Sequence, residues 1–352
     1  MDALRALEIN SVIAENGRTV RRRRHKSRFR MARQVLKTED APVDLYRFSV
    51  ARERAYHVMQ AVIDAAGMDG PGHGTIFVQH VDEYVEPDTG GPSPDGLDTS
   101  GESLLLHDLS LMTCVLSTTG SGERLAETAL ELGTGVPTVT YGTGTGMRDR
   151  LGLLRITVPP EKELVHLLVP SIDADGLLHQ LVEEGRLDRP GSGFVYCTAV
   201  QAGVLDTRLL IGPQEHAASM EQVVAAIDKL STGTAWRRRF STDDGVRYRL
   251  QRNHREIAIV CAEERSGVYV DAALQAGAGG ATSSRIRKLQ TNTIAAGDAA
   301  RERCIISVPE PAAERVIQAI LHAAPETPDW IDSLQSLITP VAYSYQPSVR
   351  RR

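Results

Sequence analysis

Two Gly-x-Gly turns stand directly ahead of apolar, strand-like runs: Gly72-His73-Gly74 before Thr75-Ile76-Phe77, and Gly191-Ser192-Gly193 before Phe194-Val195-Tyr196. Glycine carries no Cβ, so backbone N–H groups at such turns can close on an anion and form a nest for phosphate or carboxylate oxygens. A third series, Gly142-Thr143-Gly144-Thr145-Gly146, ends another strand-like run. As bare motifs the Gly142–Gly146 series and the Gly72–Gly74 turn also read as plain turns, with Pro71 presetting the latter. His73 is either a ligand contact or an exposed turn histidine. Spacing excludes other nucleotide loops, since none of the three is G-x-G-x-x-G or G-x-x-x-x-G-K-[ST]. There is no G-x-S-x-G nucleophile elbow, no H-E-x-x-H and no His/Cys grouping, so no metal cluster is expected. The chain is read as a non-enzyme, with slow hydrolysis of a bound nucleotide as the one catalytic alternative.

The elements that position these glycines follow from internal repetition. Val50–Val81 aligns without a gap on Val169–Val200 at an offset of 119, bringing Pro71-Gly72-x-Gly74 onto Pro190-Gly191-x-Gly193 and Phe77 onto Tyr196. A second repeat sets Ser121–Thr138 against Ser266–Thr282. Leu164–Val169 and Cys304–Val308 read as matching third strands, Pro311–His322 as a helix and Ser336–Tyr345 as a strand. Each full copy is therefore β-α-β followed by β-α-β. The expected class is α+β, built from repeated ferredoxin-like (βαββαβ) modules, antiparallel sheets with helices on one face. The N-terminal copy shows its second half alone, with Leu7–Ala14 as a candidate remnant strand.

The expected organisation is a basic N-terminal arm over 1–40, a partial module over 41–86, a linker over 87–105 and a first full module over 106–212. A connecting helix and excursion over 213–252 then lead to a degenerate module over 253–348. Glu86–Glu102 is rich in Pro, Gly, Asp and Ser and cannot build a core. The chain of 352 residues carries a net charge of −5, with 41% hydrophobic and only 5% aromatic residues, so its core is built from aliphatics. That mean hides a basic run from Arg18 to Lys37. With Phe29 as its sole aromatic, base stacking is poorly served and nucleic acid is not the expected partner. A solvated arm, or one docked on an acidic surface, is the reading. Cys114, Cys197, Cys261 and Cys304 each sit in an apolar run and read as buried free thiols of a reducing compartment. With no run of 18 apolar residues, a cytoplasmic location is expected.

In its order of elements and glycine loops the sequence resembles the P-II signal-transduction family and its divergent relatives. The likeness covers about 110–205 well, 255–345 moderately and 43–85 for one half. In that family a Gly-x-Gly B-loop precedes strand four, as at Gly191–Gly193 and Gly72–Gly74. Strand two opens a long T-loop, here Met147–Lys162. The resemblance implies a trimer, either of chains or imitated within one chain, that binds an adenine nucleotide (ATP, ADP or AMP) in clefts between modules. It implies phosphate held by Gly191, Ser192 and Gly193, flanked by Gly142, Gly144 and Gly146, with Arg208 adding charge. Gly72, His73 and Gly74 would form a second such loop. Output would pass through the T-loop to a membrane transporter or an enzyme, with membrane association through that partner. The sequence departs from the family where a basic residue commonly follows the B-loop glycines, since Phe194 and Thr75 stand there. The last module has Asp329, Trp330 and Asp332 in place of the glycines, and no Tyr lies between Met147 and Lys162. The missing glycines of the last module favour the alternative, a structural or assembly protein that keeps the trimeric scaffold without ligand sites.

Overall fold

The computed structural model describes residues 2–25, 35–68, 73–85, 105–132, 134–146, 160–206, 248–290, 299–324 and 331–345, with backbone alone for 21–25 and 35–39. A short helix α1 (Asp2–Ala6) precedes β1 (Ser11–His25) and β2 (Val35–Arg47). A 3-10 turn at Arg52–Arg54 leads into α2 (Ala55–Ala66), β3 (Ile76–Val78) and β4 (Asp82–Val85). The first complete module is β5 (Leu106–Leu116), α3 (Ser121–Glu131), β6 (Thr138–Gly146), β7 (Glu161–Pro170), α4 (Ala174–Glu184) and β8 (Gly193–Val204). The second is β9 (Gln251–Ala262), α5 (Ser266–Gln275), β10 (Gly280–Gln290), β11 (Ala299–Pro309), α6 (Glu310–Ala323) and β12 (Ile331–Ser344).

Both modules are ferredoxin-like. The sheet runs β8-β5-β7-β6 in the first and β12-β9-β11-β10 in the second, the order 4-1-3-2, with every pairing antiparallel. Period-two alternation decides which face meets the helices. Met112, Cys114 and Leu116 of β5 bury against Leu125 and Leu130 of α3 and Leu178 and Leu181 of α4. Ile257, Ile259 and Cys261 do the same beneath α5 and α6, with Tyr269 and Val316. All four cysteines are buried and free. Each fully buried Leu or Ile contributes about 1.5–3 kcal/mol, so these two faces fix the sheet-to-helix arrangement.

The N-terminal part supplies most of a third unit. At the 119-residue offset α2 begins at Ala55 as α4 begins at Ala174, Arg47 takes the place of His166, and β3 and β4 fall on the two ends of β8. Among the described residues it has no counterpart of the first strand and first helix. The remnant strand expected at Leu7–Ala14 in fact starts at Ser11, and Leu7 closes the turn after α1, its N–H donating to the Ala3 carbonyl at 3.0 Å. Nor does the basic run form a free arm over its described part: β1 carries it to His25 in register with β2, so the boundary expected at 40/41 cuts through β2.

The three units meet cyclically. The end of β6 (Thr143–Gly146) pairs with the start of β10 (Gly280–Ser283), the end of β10 (Arg287–Gln290) with the start of β1 (Ser11–Ala14), and Arg18 and Thr19 of β1 with Val139 and Thr138 of β6. The fourth strands repeat the scheme. The start of β8 pairs with the end of β12, the start of β12 with β4, and β3 with the end of β8. Head-to-tail pairing that closes after three steps is the signature of three-fold arrangement, here among units of one chain. Helices stay outside, and the sheet faces turned away from them share an interior where Ile305 of the second module touches the cluster of Val115, Leu164 and Tyr196 from the first.

Candidate functional site

Where these three strands pair in a cycle, residues 15–17 of β1, 140–142 of β6 and 284–286 of β10 keep their partners on β2, β7 and β11 but share no rung with one another. Such a crossing requires backbones to come close. A Cβ at Gly142 would lie 2.9 Å from the Ser283 carbonyl oxygen, a backbone atom that cannot rotate aside. On the helix side of this junction lies a cleft of about 720 Å³, lined by Asn16 of β1, Tyr141, Gly142 and Thr143 of β6, and β10 and β11 residues that include Arg285, Arg287 and Arg301. That volume is in the range of small-molecule sites. Charges of both signs rim it. Arg285 is 81% exposed with Glu263 at 3.9 Å, while Arg301 is committed to Asp332 at 2.5 Å. Asp332 is thus neutralised by Arg301 and by Lys288, also at 2.5 Å.

A second gathering forms at the end of the first module. Lys162 lies against Gly144, close enough that a Cβ there would displace its side chain. The Lys162 ammonium donates to Ser117 Oγ at 3.1 Å, and the Ser117 N–H donates to the Ser192 carbonyl at 3.0 Å. The end of β6 at Gly144 and the turn at Gly191–Gly193 are therefore linked through Lys162 and Ser117. Beside them the amides that open α3 are already taken. Glu163 accepts from the Gly120 N–H at 2.7 Å and from the Gly122 N–H at 2.6 Å. Glu302, at the matching place on β11, accepts from the Ser266 N–H at 3.0 Å at the start of α5. A helix N-terminus attracts anions, and in both complete modules the chain supplies that anion itself.

Behind the junction the interior is ionic. Glu15 lines the cleft yet is only 4% exposed, and Arg47 donates to it at 2.6 Å. Arg303 donates to the buried Glu256 at 3.1 Å. His166 sits between Thr113 Oγ1 and Thr140 Oγ1, 3.2 Å from each. Burial, reinforced by the nearby Arg47, lowers its pKa to about 3, so the imidazole is neutral. Burial, the largest single influence, would raise the Glu15 carboxyl, but the charge and hydrogen bond of Arg47 and the other charges around it together hold the group below its ordinary value. Tyr196 is pushed well up by burial and by Glu256. Charges taken from water need such pairing, or they cost several kcal/mol each.

The structure places the sequence-derived candidates at several separate points. Gly142 lines the cleft; Gly144 and Gly146 lie in β6, paired with β10. Gly191, Ser192 and Gly193 sit where β8 meets β12, Phe194 opposite Ser344. His73 is exposed, and Gly74 lies one residue from Thr75, whose hydroxyl accepts the Asp206 N–H at 3.1 Å. Both glycine turns thus border seams between units, but at different seams, and neither lines the large cleft. Gly72, Arg208 and 147–159 of the T-loop lie outside the described residues, as do the 87–104 linker and the connecting helix at 219–230. Sequence reasoning missed Lys162, Glu163, Glu302 and the interior pairs. The one available signal was that Glu163 and Glu302 stand at matching places just ahead of the repeated third-strand runs. Among the described residues no His/Cys/Asp/Glu group could hold a metal ion, and no helix is long and apolar enough to cross a membrane.

No family model matches this sequence, and no curated protein matches it. Among solved structures, aspartate kinase from Synechocystis is similar over 67% of this chain and 52% of its own, at 9% identity and a TM-score of 0.20. This chain therefore spans about half the length of that one, and a likeness so remote carries no argument.

Proposed function

We propose that the chain is a regulatory protein of P-II-like build that binds a small anionic ligand, an adenine nucleotide, where its units meet, and that it passes the bound state to a transporter or enzyme through the Met147–Lys162 loop. The observation that carries this reading is the cleft of about 720 Å³ at the cyclic junction of β1, β6 and β10, with Arg285 and Arg287 on its wall. Support comes also from Lys162, the second residue of β7 and three residues beyond the loop's undescribed part, which links the loop base to the B-loop carbonyl through Ser117. Ligand charge at Lys162 would bear directly on how that loop is held.

Titration calorimetry with ATP, ADP, AMP, cyclic nucleotides and bicarbonate tests the proposal. At least one should give saturable heat. Arg285→Glu should weaken a ligand seated in the large cleft, and Lys162→Gln a ligand seated at the loop base, so the two variants locate the site. Silence toward every compound removes the sensor reading. A second reading, a scaffold without ligand sites, draws support from the carboxylates of Glu163 and Glu302, which fill both helix N-termini. Light scattering that shows large ordered assemblies in the absence of ligand would favour it.

A further inference from the structure

The β1–β2 pair is the third unit's counterpart of the β6–β7 and β10–β11 hairpins, but it is far longer. Thirteen residue pairs join β1 to β2, from Ile13 with Arg47 to His25 with Val35, against six between β6 and β7. Beyond Thr19, β1 pairs only with β2 among the described residues. Val20 still packs in the core of the first module, so five pairs, Arg21 with Glu39 through His25 with Val35, form a two-stranded ribbon past the last residue that ties it to the wall. At about 3.3 Å per residue that is a reach of roughly 17 Å.

Between Val20 and Asp40 the chain has nine lysines and arginines against two carboxylates, and seven of the nine are arginine. Arg21, Arg22, Arg23 and Arg24 all fall within the paired part of β1. The whole protein is acidic at −5, so this concentration of charge is local. At the root of the ribbon Arg18 is paired with Asp40, which leaves the segment beyond it the more strongly cationic.

We propose that this ribbon is a docking arm for double-helical DNA, gripped through its phosphates. A B-form major groove about 12 Å wide admits a two-stranded β-ribbon. Guanidinium forks match phosphate oxygens bidentately where ammonium groups act as point charges. The scarcity of aromatics argues against single strands held by stacking, but a duplex bound through its backbone needs none. A membrane surface fits less well, because interfacial segments bury a broad apolar face flanked by Trp or Phe and the run holds a single aromatic, Phe29.

Fluorescence anisotropy of a labelled short DNA duplex, titrated with the full chain at about 50 to 200 mM salt, tests the arm. Binding should be saturable and fall steeply with salt. Replacing Arg21, Arg22, Arg23 and Arg24 together with Gln should flatten the slope of log K against log salt by about 3 to 4 and weaken binding on the order of a hundredfold at the lowest salt. A second variant with Thr at the same positions keeps strand propensity and guards against a folding artefact. Phosphatidylcholine vesicles containing phosphatidylserine serve as the competing polyanion. The proposal is overturned if the duplex does not bind at the lowest salt, if both variants bind it as the native chain does, or if vesicles bind more tightly than DNA through the same arginines.

Discussion

Gly193 opens β8 at φ +135°, in a region that side-chain-bearing residues rarely enter, and a Cβ built there would stand 1.9 Å from the Val115 carbonyl oxygen on β5. Gly193→Ala therefore pays twice. The backbone conformation costs about 1–3 kcal/mol. The clash is with a strand backbone, so β8 and β5 must part at this end, which loosens the Leu116–Gly193 rung and the Ser117-to-Ser192 bond at 3.0 Å. Hydrogen bonds lost there cost about 0.5–1.5 kcal/mol each, and with two of them the total comes to about 2–6 kcal/mol. Gly176 is the internal control. It lies in α4 with nothing within 4 Å of its Cβ position, so Gly176→Ala should stabilise by up to about 1 kcal/mol. Urea unfolding of both variants, read at unchanged m-value, gives the comparison. A loss below about 1 kcal/mol for Gly193→Ala would refute the steric account and return this glycine to the anion nest as its sole explanation. Since the same residue serves the fold, a side chain placed there cannot by itself report on ligand binding.

Two further outcomes follow from the interior. His166 has a folded pKa of about 3, against about 6.5 when unfolded. Between those values the unfolded chain binds one more proton, so stability is lost as pH falls through this window, by up to about 1.4 kcal/mol per pH unit. His166→Gln, which can still bridge Thr113 and Thr140, should lessen that fall between about pH 6.5 and 5, above the ordinary carboxylate range; equal slopes in thermal melts of the two proteins would sink the assignment. Removing Arg303 alone takes the ion-pair partner from the buried Glu256 and leaves it the Tyr196 hydroxyl and the more distant Arg47 charge. Arg303→Met should cost about 3–5 kcal/mol, and adding Glu256→Leu should restore most of it. Failure of the second change to rescue the first, measured by urea unfolding, would mean that the pair is held by more than mutual charge compensation.

How much of this was legible beforehand differs by element. Helix and strand order in both modules could be read because alternating Met112, Cys114 and Leu116, or Ile257, Ile259 and Cys261, announce a half-buried strand, and the repeats fix the order of the helices and strands after it. The basic run was misjudged because arginine content speaks of charge, whereas the strand assignment depends on pairing with β2 and with the start of β6. The glycines of β6 were read as ligand contacts. At Gly142 the stronger demand is steric, set by a β10 carbonyl some 140 residues away in sequence, which no local pattern encodes.

By itself the sequence determined the modules: periodicity, repeats and glycine punctuation act within a few residues and are written locally. Only the tertiary structure decided that β6, β10 and β1 pair in a cycle, that Glu163 and Glu302 fill the helix ends, and that Glu15, Arg47, Glu256 and Arg303 neutralise one another inside. Those are matters of which edges and charges meet across long chain separations. Hydrogen bonding and charge compensation settle them in space, with no regard to order along the chain.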